Sequence, residues 1–271
     1  MVDTRPAFTT TIVGELFFEP VTIHPLVDDI LGTRRTQLPD GSDVDANSFI
    51  PRDECELVYE MITFIGATRA IEVGMAFGVS TLCIADAIRS NGADARLVSI
   101  DSHQTIGWNG AGMHLIRRAG QDAIVTLIEE PSQLVLPRMA AEGQQFDFGF
   151  IDGWHTFDHT LIDFFFIDRM LRDGGVVVFD DVGYPAINAV VRFILANRDY
   201  ELVKALQFQT LPPRSLRLRR DMKRRLRPLA RTDRDPTPEH EALFRRIENV
   251  HAVALRKRGN DTRRFDHYER F

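Results

Sequence analysis

Apolar stretches of two kinds alternate between about residue 50 and residue 206. Short runs of branched or aromatic residues, bounded by polar or glycine positions, predict buried strands. These runs are 69–74, 96–101, 123–130, 146–152 and 175–181. Between them, apolar residues recur at helical spacing in segments that end at a glycine, where a helix C-cap would place one. Strands that alternate with helices predict a parallel sheet with helices on both faces.

The N-terminal part of the chain departs from this alternation. Residues 1–48 contain apolar and turn-rich stretches, and we interpret them as a lid or dimerisation segment. Residues 52–66 then predict an amphipathic lead-in helix. We therefore assign the main domain to residues 49–271.

The C-terminal part continues the pattern and interrupts it once. Residues 186–197 predict a helix, and residues 200–208 and 250–258 predict two further strands. A basic insertion bounded by prolines, at about residues 212–238, separates these two strands. The sheet would then have seven strands.

The composition is that of an ordinary soluble globular protein, with 44% apolar and 27% charged residues. The chain contains no apolar run of about 18 residues, so we expect no membrane span. The first twenty residues lack the pattern of a secretory signal. Cys55 and Cys83 are isolated, which argues against a disulfide framework or a thiolate metal site. We therefore predict a cytoplasmic protein.

The charge is unevenly distributed. The whole chain has a net charge of −6, but residues 214–227 carry eight basic residues and a single acid, Asp221. A run of arginine can contact nucleic-acid phosphates, but this segment has no aromatic residue on which bases would stack. We therefore do not expect a nucleic-acid partner and interpret the segment as a solvated or partner-facing helix.

Open parallel sheets bind ligands beyond the carboxyl ends of their strands. The first predicted strand ends in EVGMAFGVST, which contains Glu72, Gly74, Gly78, Ser80 and Thr81. The glycines let the backbone pass close to a ligand, and either hydroxyl can cap the following helix. The alternative is a plain tight turn. The spacing G-x-x-x-G differs from the G-x-G-x-x-G that cradles a pyrophosphate, which argues against a nicotinamide cofactor.

The second and third predicted strands also end at polar residues. Asp101 closes the second strand, where a carboxylate can accept hydrogen bonds from both hydroxyls of a ribose. Its alternative role is that of a helix N-cap. After the third strand, Ser132 and Gln133 are candidates to meet an adenine edge.

Three aspartates close the fourth and fifth predicted strands. Asp152 ends one strand, and Asp180 with Asp181 ends the next. If these strands are neighbours, about 4.8 Å apart, the three carboxylates converge. Close like charges repel unless they are protonated or bridged by a cation, and hard oxygen ligands suit Mg²⁺. The alternative is three unrelated, solvated turn residues.

His155 follows Asp152 by three residues and is a candidate general base, because its reference pKa of about 6.5 suits proton abstraction at neutral pH. A histidine at a helix start can instead be simply exposed. A transition-metal pair with His159 is disfavoured, because His159 lies a turn deeper along the helix. The aromatic residues of that helix are interpreted as core: Phe157, Phe164, Phe165 and Phe166.

The chain carries, in this order, the motifs IEVGMAFGVST, LVSID, VTLIEEPSQ, FGFIDGWHT and GGVVVFDDV. Together they resemble those of class I S-adenosylmethionine-dependent methyltransferases, over about residues 50–206. Within that class they look most like metal-dependent O-methyltransferases of the catechol and macrolide-sugar types. The fold implied is α/β, with a doubly wound, mostly parallel seven-stranded Rossmann-like sheet, helices on both faces and an antiparallel last strand.

The resemblance also implies a set of site residues. S-adenosylmethionine would be bound by Glu72, Gly74, Gly78, Ser80, Asp101, Ser132, Gln133 and Asp152. Mg²⁺ or another divalent cation would be held by Asp152, Asp180 and Asp181, with His155 as the catalytic base. Catechol-type enzymes have Lys in place of His155 and Asn in place of Asp181. Macrolide-sugar enzymes are closer, because there a metal-binding acid is followed three residues later by a histidine base.

This resemblance implies Mg-dependent O-methylation of a sugar or other natural-product hydroxyl, a reaction of natural product biosynthesis. The alternatives are a catechol or other phenolic acceptor, and an RNA-directed methyltransferase that uses residues 214–227. A non-catalytic binding module is disfavoured by the complete set of acids and His155. The expected partner is a small-molecule hydroxyl acceptor, whose pocket His103, Trp108 and His114 are candidates to wall. A homodimer is a further expectation from the likeness.

Overall fold

The computed structural model describes residues 21–208 and 236–271. Two short strands, β1 (Arg35–Gln37) and β2 (Asp43–Asp45), pair antiparallel near the N-terminal end of this part. The other strands are β3 (Arg69–Val73), β4 (Arg96–Ile100), β5 (Val125–Ile128), β6 (Phe146–Ile151), β7 (Leu171–Phe179), β8 (Tyr200–Gln207) and β9 (Val250–Lys257). These seven form one sheet in the order β5-β4-β3-β6-β7-β9-β8.

Eight helices are described. They are α1 (Pro25–Thr33), α2 (Arg52–Ile65), α3 (Val79–Asn91), α4 (Ala111–Arg118), α5 (Ser132–Ala141), α6 (Phe157–Met170), α7 (Pro185–Asn197) and α8 (Pro238–Arg246). None of the helices in the described ranges is long and apolar enough to cross a bilayer.

The fold class predicted from the sequence is confirmed. The strands from β3 to β7 pair parallel with their neighbours, whereas β9 runs antiparallel between β7 and β8. Each predicted strand is present, with ends that differ by a few residues; β7, for example, begins at Leu171 rather than at Gly175. The adjacency of β6 and β7, on which the predicted convergence of aspartates depends, is also present.

Two apolar cores lie on the two faces of the sheet. On β7, Val176 and Val178 belong to the core with α2 and α3, while Val177 and Phe179 belong to the core with α6 and α7. This alternation follows from the two-residue period of a strand. Because both faces are buried, the strands read as continuous apolar runs, and the polar residues that remain lie at their ends.

The aromatic residues of α6 do not all lie in the core, so that part of the sequence interpretation was wrong. Phe164 is buried and packs against Phe179, and Phe166 packs partly against the same core. Phe157 and Phe165 are 38% and 44% exposed. Neighbouring positions on a helix point about 100° apart, so a run of three phenylalanines cannot all face one core.

The N-terminal segment packs onto the main domain in the residues that are described. Val27 and Ile30 of α1 are buried in the same apolar core as α2 and α3. A lid or dimerisation role for residues 1–48 stays a prediction, and residues 1–20 lie outside the described part. The basic segment 214–227 and most of the predicted insertion also lie outside it.

Candidate active site

The candidate site lies where the order of strands reverses. The chain runs from β3 outward through β4 and β5, then returns to place β6 on the other side of β3. The ends of β3 and β6 are pinned together, because the Asp152 N–H donates to the Val73 carbonyl at 2.9 Å. Gly74 has φ +95°, and a Cβ built on it would lie 2.0 Å from the Asp152 carbonyl oxygen. A reversal point of this kind is the usual ligand crevice of open α/β sheets.

Glu72 is fully buried and held by three hydroxyl groups. Ser80 donates to one carboxylate oxygen, and Thr81 and Ser99 donate to the other, each at 2.6 Å. Burial raises the pKa of Glu72 to about 7, although the three hydroxyl groups oppose this rise. The side chain therefore ties β3, α3 and β4 together.

The expectation that Ser80 or Thr81 caps α3 was wrong. The N-cap residue is Gly78, with φ +83°, and no side chain makes a cap hydrogen bond. The two hydroxyls bond Glu72 instead. A Cβ on Gly78 would come within 2.9 Å of the Gly112 backbone, so the absence of a side chain there allows α4 to pack on this loop.

Asp101 closes β4 and supports the loop after β3. Its Oδ2 accepts from the N–H groups of Met75 and Ala76 at 3.1 and 2.9 Å and from Gln104 Nε2 at 3.1 Å. Its Oδ1 accepts from the His103 N–H at 2.8 Å. A carboxylate oxygen accepts more than one hydrogen bond, so Oδ1 retains capacity for a ribose hydroxyl. The hydrogen bonds to Asp101 are therefore compatible with the predicted ribose contact at Oδ1, and they fix the loop of Met75 and Ala76 beside it.

Ser132 and Gln133 begin α5, at the carboxyl end of β5. Gln133 is exposed, whereas Ser132 hydrogen-bonds the side chain of Asp163 on α6. Burial raises the pKa of Asp163 to about 6, with the hydrogen bond from Ser132 opposing it. Its Oδ1 has no hydrogen-bond partner within the described residues. The other carboxylate oxygen of Asp163, Oδ2, lies 3.3 Å from the position of a Cβ built on Gly153.

Asp152, His155 and Asp181 form the outer cluster, beyond the ends of β6 and β7. The His155 Nε2 lies 3.2 Å from Asp152 Oδ1 and 3.3 Å from Asp181 Oδ2. One ligand atom from each residue lies within 4.8 Å of the others, which suits a divalent cation. Asp181 has φ +54°, a left-handed conformation that aspartate tolerates better than most residues.

Asp180 is directed elsewhere, which the sequence did not predict. Its carboxylate groups with Glu54 of α2 and His251 of β9, again with ligand atoms within 4.8 Å. Burial raises the pKa of Asp180 to about 7, and the charges of Asp152 and Asp181 add to the effect. The three strand-end aspartates therefore influence each other electrostatically but divide between two clusters.

The electrostatics of the outer cluster fit a bound cation. Burial raises the pKa of Asp152 to about 6, with the charge of Asp181 adding and His155 opposing. The hydrogen bond to Asp152 raises the pKa of His155, although burial opposes this. Its ring stacks on Tyr184 with centroids 5.7 Å apart. A cation between the carboxylates would relieve their repulsion and favour a neutral imidazole.

The residues proposed to wall an acceptor pocket lie near the same loops. Trp108 packs edge-on against Phe77, with ring centroids 5.2 Å apart. His103 follows Asp101 and contacts the Ser102 hydroxyl through Nδ1 at 2.8 Å. His114 lies on α4 with its Nε2 buried and unpaired among the described residues.

Comparison with known proteins finds similarity to methyltransferases. The family model described as a methyltransferase domain matches residues 71–182. The tapetum-specific methyltransferase 1 of Arabidopsis thaliana is 28% identical over 135 residues, covering 49% of this chain and 54% of the relative. The caffeoyl-CoA O-methyltransferase of Populus kitakamiensis is 25% identical over 138 residues, with coverages of 49% and 54%. The chain thus spans about half the length of these curated relatives.

Solved structures show the same fold. The O-methyltransferase TomG from Streptomyces achromogenes, in complex with SAM, has a TM-score of 0.52 at 18% identity, covering 76% of this chain and 80% of TomG. The O-methyltransferase from Bacillus cereus, in complex with SAH, has a TM-score of 0.55 at 19% identity, with coverages of 69% and 86%. The resemblance to class I S-adenosylmethionine-dependent methyltransferases is thereby confirmed, with residues 71–182 matching the methyltransferase-domain model.

Proposed function

We propose that this protein transfers a methyl group from S-adenosylmethionine to a hydroxyl oxygen of a natural-product small molecule, with the help of Mg²⁺ or another divalent cation. The observation that carries the proposal is the outer cluster, in which Asp152, Asp181 and His155 converge at the end of the sheet. Two carboxylates with an imidazole at their edge provide both a cation site and a proton acceptor.

The donor would lie along the loop after β3. We infer that Asp101 holds its ribose, and Gly74 lets the backbone run against Asp152. Glu72, Ser80 and Gly78 shape this loop from behind rather than exposing free polar atoms. Ser132 and Gln133, at the start of α5, are the candidates for the adenine edge.

The chemistry divides between the cation and His155. When bound, a divalent cation lowers the pKa of a coordinated hydroxyl and fixes its oxygen. His155 takes the hydroxyl proton at Nε2 while the oxygen forms its bond to the methyl carbon and the carbon–sulfur bond breaks. Nε2 now lies against Asp152 and Asp181, so binding of these two carboxylates to a cation would release it to accept this proton, while the ring of Tyr184 limits rotation of the imidazole.

Two classes of methyl acceptor are supported, each by a different observation. A histidine three residues after a metal-binding acid resembles the macrolide-sugar enzymes and favours a sugar hydroxyl. A phenolic acceptor is the second candidate, because a curated relative is a caffeoyl-CoA O-methyltransferase. Assays of methyl transfer to sugar and phenolic acceptors, with Mg²⁺ and then with EDTA, distinguish the two and test the cation.

The role of His155 is tested with a matched pair of variants. His155→Gln removes the base, whereas His159→Gln makes the same change on α6, where the imidazole contacts the Thr156 hydroxyl at 3.0 Å. We expect His155→Gln to lower turnover by about 10²-fold or more, because a positioned general base contributes at least that much. Donor affinity by calorimetry should stay unchanged in both variants. Equal turnover in both would remove His155 from the mechanism.

A further inference from the structure

A second group of ionisable side chains lies deeper in the protein than the outer cluster. Glu54 comes from the first turn of α2, Asp180 follows β7, and His251 is the second residue of β9. One ligand atom from each lies within 4.8 Å of the others. We call these three residues the inner cluster. Its members come from three elements far apart in sequence.

Glu54 lacks the partners that a buried carboxylate requires. Its side chain is fully buried, no N–H or O–H group of the described residues donates to its oxygens, and its carboxyl contact is with Asp180, a second acid. The His251 imidazole lies beside it, with Nδ1 3.5 Å from Glu54 Oε2. An unpaired buried charge is costly, and Asp180 brings a second carboxylate to the same place. The two carboxyl groups of the inner cluster therefore either share a proton or are bridged by a cation.

His251 is oriented as a metal-binding histidine would be. Its Nε2 lies 3.0 Å from Asp53 Oδ2, on the side away from Glu54. When Nε2 donates its proton to Asp53, Nδ1 presents its lone pair to Glu54. Histidine ligands usually have such a carboxylate on the second ring nitrogen, which fixes the tautomer and the ring orientation. The Val182 N–H also donates to the His251 carbonyl at 2.8 Å, so the backbone of β9 is fixed against the loop that carries Asp180.

We propose that Glu54, Asp180 and His251 form a second divalent-cation site, separate from the one at Asp152, His155 and Asp181. One imidazole nitrogen and two carboxylates suit a first-row transition metal such as Mn²⁺ or Zn²⁺ better than the all-oxygen preference of Mg²⁺. The sites adjoin through the consecutive residues Asp180 and Asp181. The inner site holds its ion whether or not the outer site takes part in methyl transfer.

Mn²⁺ binding tests the proposal in the purified chain. Titration followed by electron paramagnetic resonance should show two ions bound per wild-type chain. Glu54→Gln should remove one of them, whereas Glu56→Gln, the same change on the same helix outside the cluster, should remove neither. Asp152→Asn should remove the other ion, from the outer site. An unchanged stoichiometry in Glu54→Gln would overturn the proposal and leave a shared proton between Glu54 and Asp180.

Two further measurements guard against a variant that fails to fold. Pulsed resonance on Asp152→Asn loaded with Mn²⁺ should show nitrogen coupling, because His251 is the histidine of the inner cluster and the outer site is disabled. Wild-type crystals soaked in Mn²⁺ should show an anomalous peak between Glu54, Asp180 and His251. No peak there, or no nitrogen coupling, would contradict the proposal. Neither measurement depends on methyl transfer, so both test the inner site even if the proposed activity is not found.

Discussion

Replacing Gly74 by alanine tests how closely the ends of β3 and β6 must approach. Gly74 has φ +95°, and the added methyl group would lie 2.0 Å from the Asp152 carbonyl oxygen. Gly120→Ala is the matched control, because Gly120 has φ +66° and a Cβ there meets nothing within 4 Å. Both variants put alanine into a left-handed conformation, but only the first also creates a clash.

The difference between the two variants isolates the clash. The left-handed conformation costs alanine about 1–2 kcal/mol in either place. In Gly74→Ala the contact with Asp152 is backbone on both sides, so strain of about 1–3 kcal/mol adds to this cost. We therefore expect Gly120→Ala to lower the free energy of unfolding by about 1–2 kcal/mol and Gly74→Ala by about 2–5 kcal/mol.

Urea unfolding at neutral pH gives both free energies, and calorimetry gives the affinity for a divalent cation. Because relief of the clash must displace the Asp152 backbone, Gly74→Ala should also weaken cation binding at the outer cluster, whereas Gly120→Ala should not. Equal losses of stability in the two variants, with unchanged cation affinity in both, would refute the tight approach of β3 to Asp152.

Three other outcomes follow from the structure. Backbone N–H groups and Arg172 lower the pKa of Asp147 against the effect of its partial burial, so Asp147→Asn should lose about 1–3 kcal/mol at pH 7. That difference should vanish in urea unfolding as the pH falls through the lowered pKa. Because the pKa of Glu72 is raised to about 7, the stability that its protonated carboxyl contributes to the fold is full below about pH 4 and is lost as the pH rises towards 7. This part of the fall in melting temperature with rising pH should be absent in Glu72→Gln. Tyr184→Ala should lower turnover several-fold by freeing the imidazole of His155, and Tyr184→Phe, which keeps the stacked ring, should not.

The sheet and the acidic strand ends could be predicted because they depend on local periodicity. Apolar runs buried on both faces leave polar residues only where a strand ends, and parallel strands bring those ends to one edge. Asp152 and Asp181 meet for this reason. Which neighbour a carboxylate faces depends on loop conformation, and the sequence has no periodic signal for that.

Two buried acids were missed although the pattern contained a signal for them. Glu54 lies three, four and seven residues before Leu57, Val58 and Met61, all fully buried, so it falls on the apolar stripe of α2. Asp163 is similarly placed before Ile167 on α6. An acid at an apolar-stripe position is rarely fully buried unless it is paired. That criterion predicts a buried polar partner for Glu54 from the sequence alone.

The separation of Asp180 from Asp181 shows how the backbone divides a pair that the sequence presents as one. Both residues lie beyond the end of β7, and Asp181 has a left-handed backbone conformation with its carboxylate beside His155. Asp180 faces inward, toward Glu54 and His251. If the Asp180 side chain rotated to hold one ion together with Asp152 and Asp181, its carboxylate would leave Glu54 and His251. Such a rotation would leave Glu54 with only His251, so occupancy of the two sites should be coupled through Asp180.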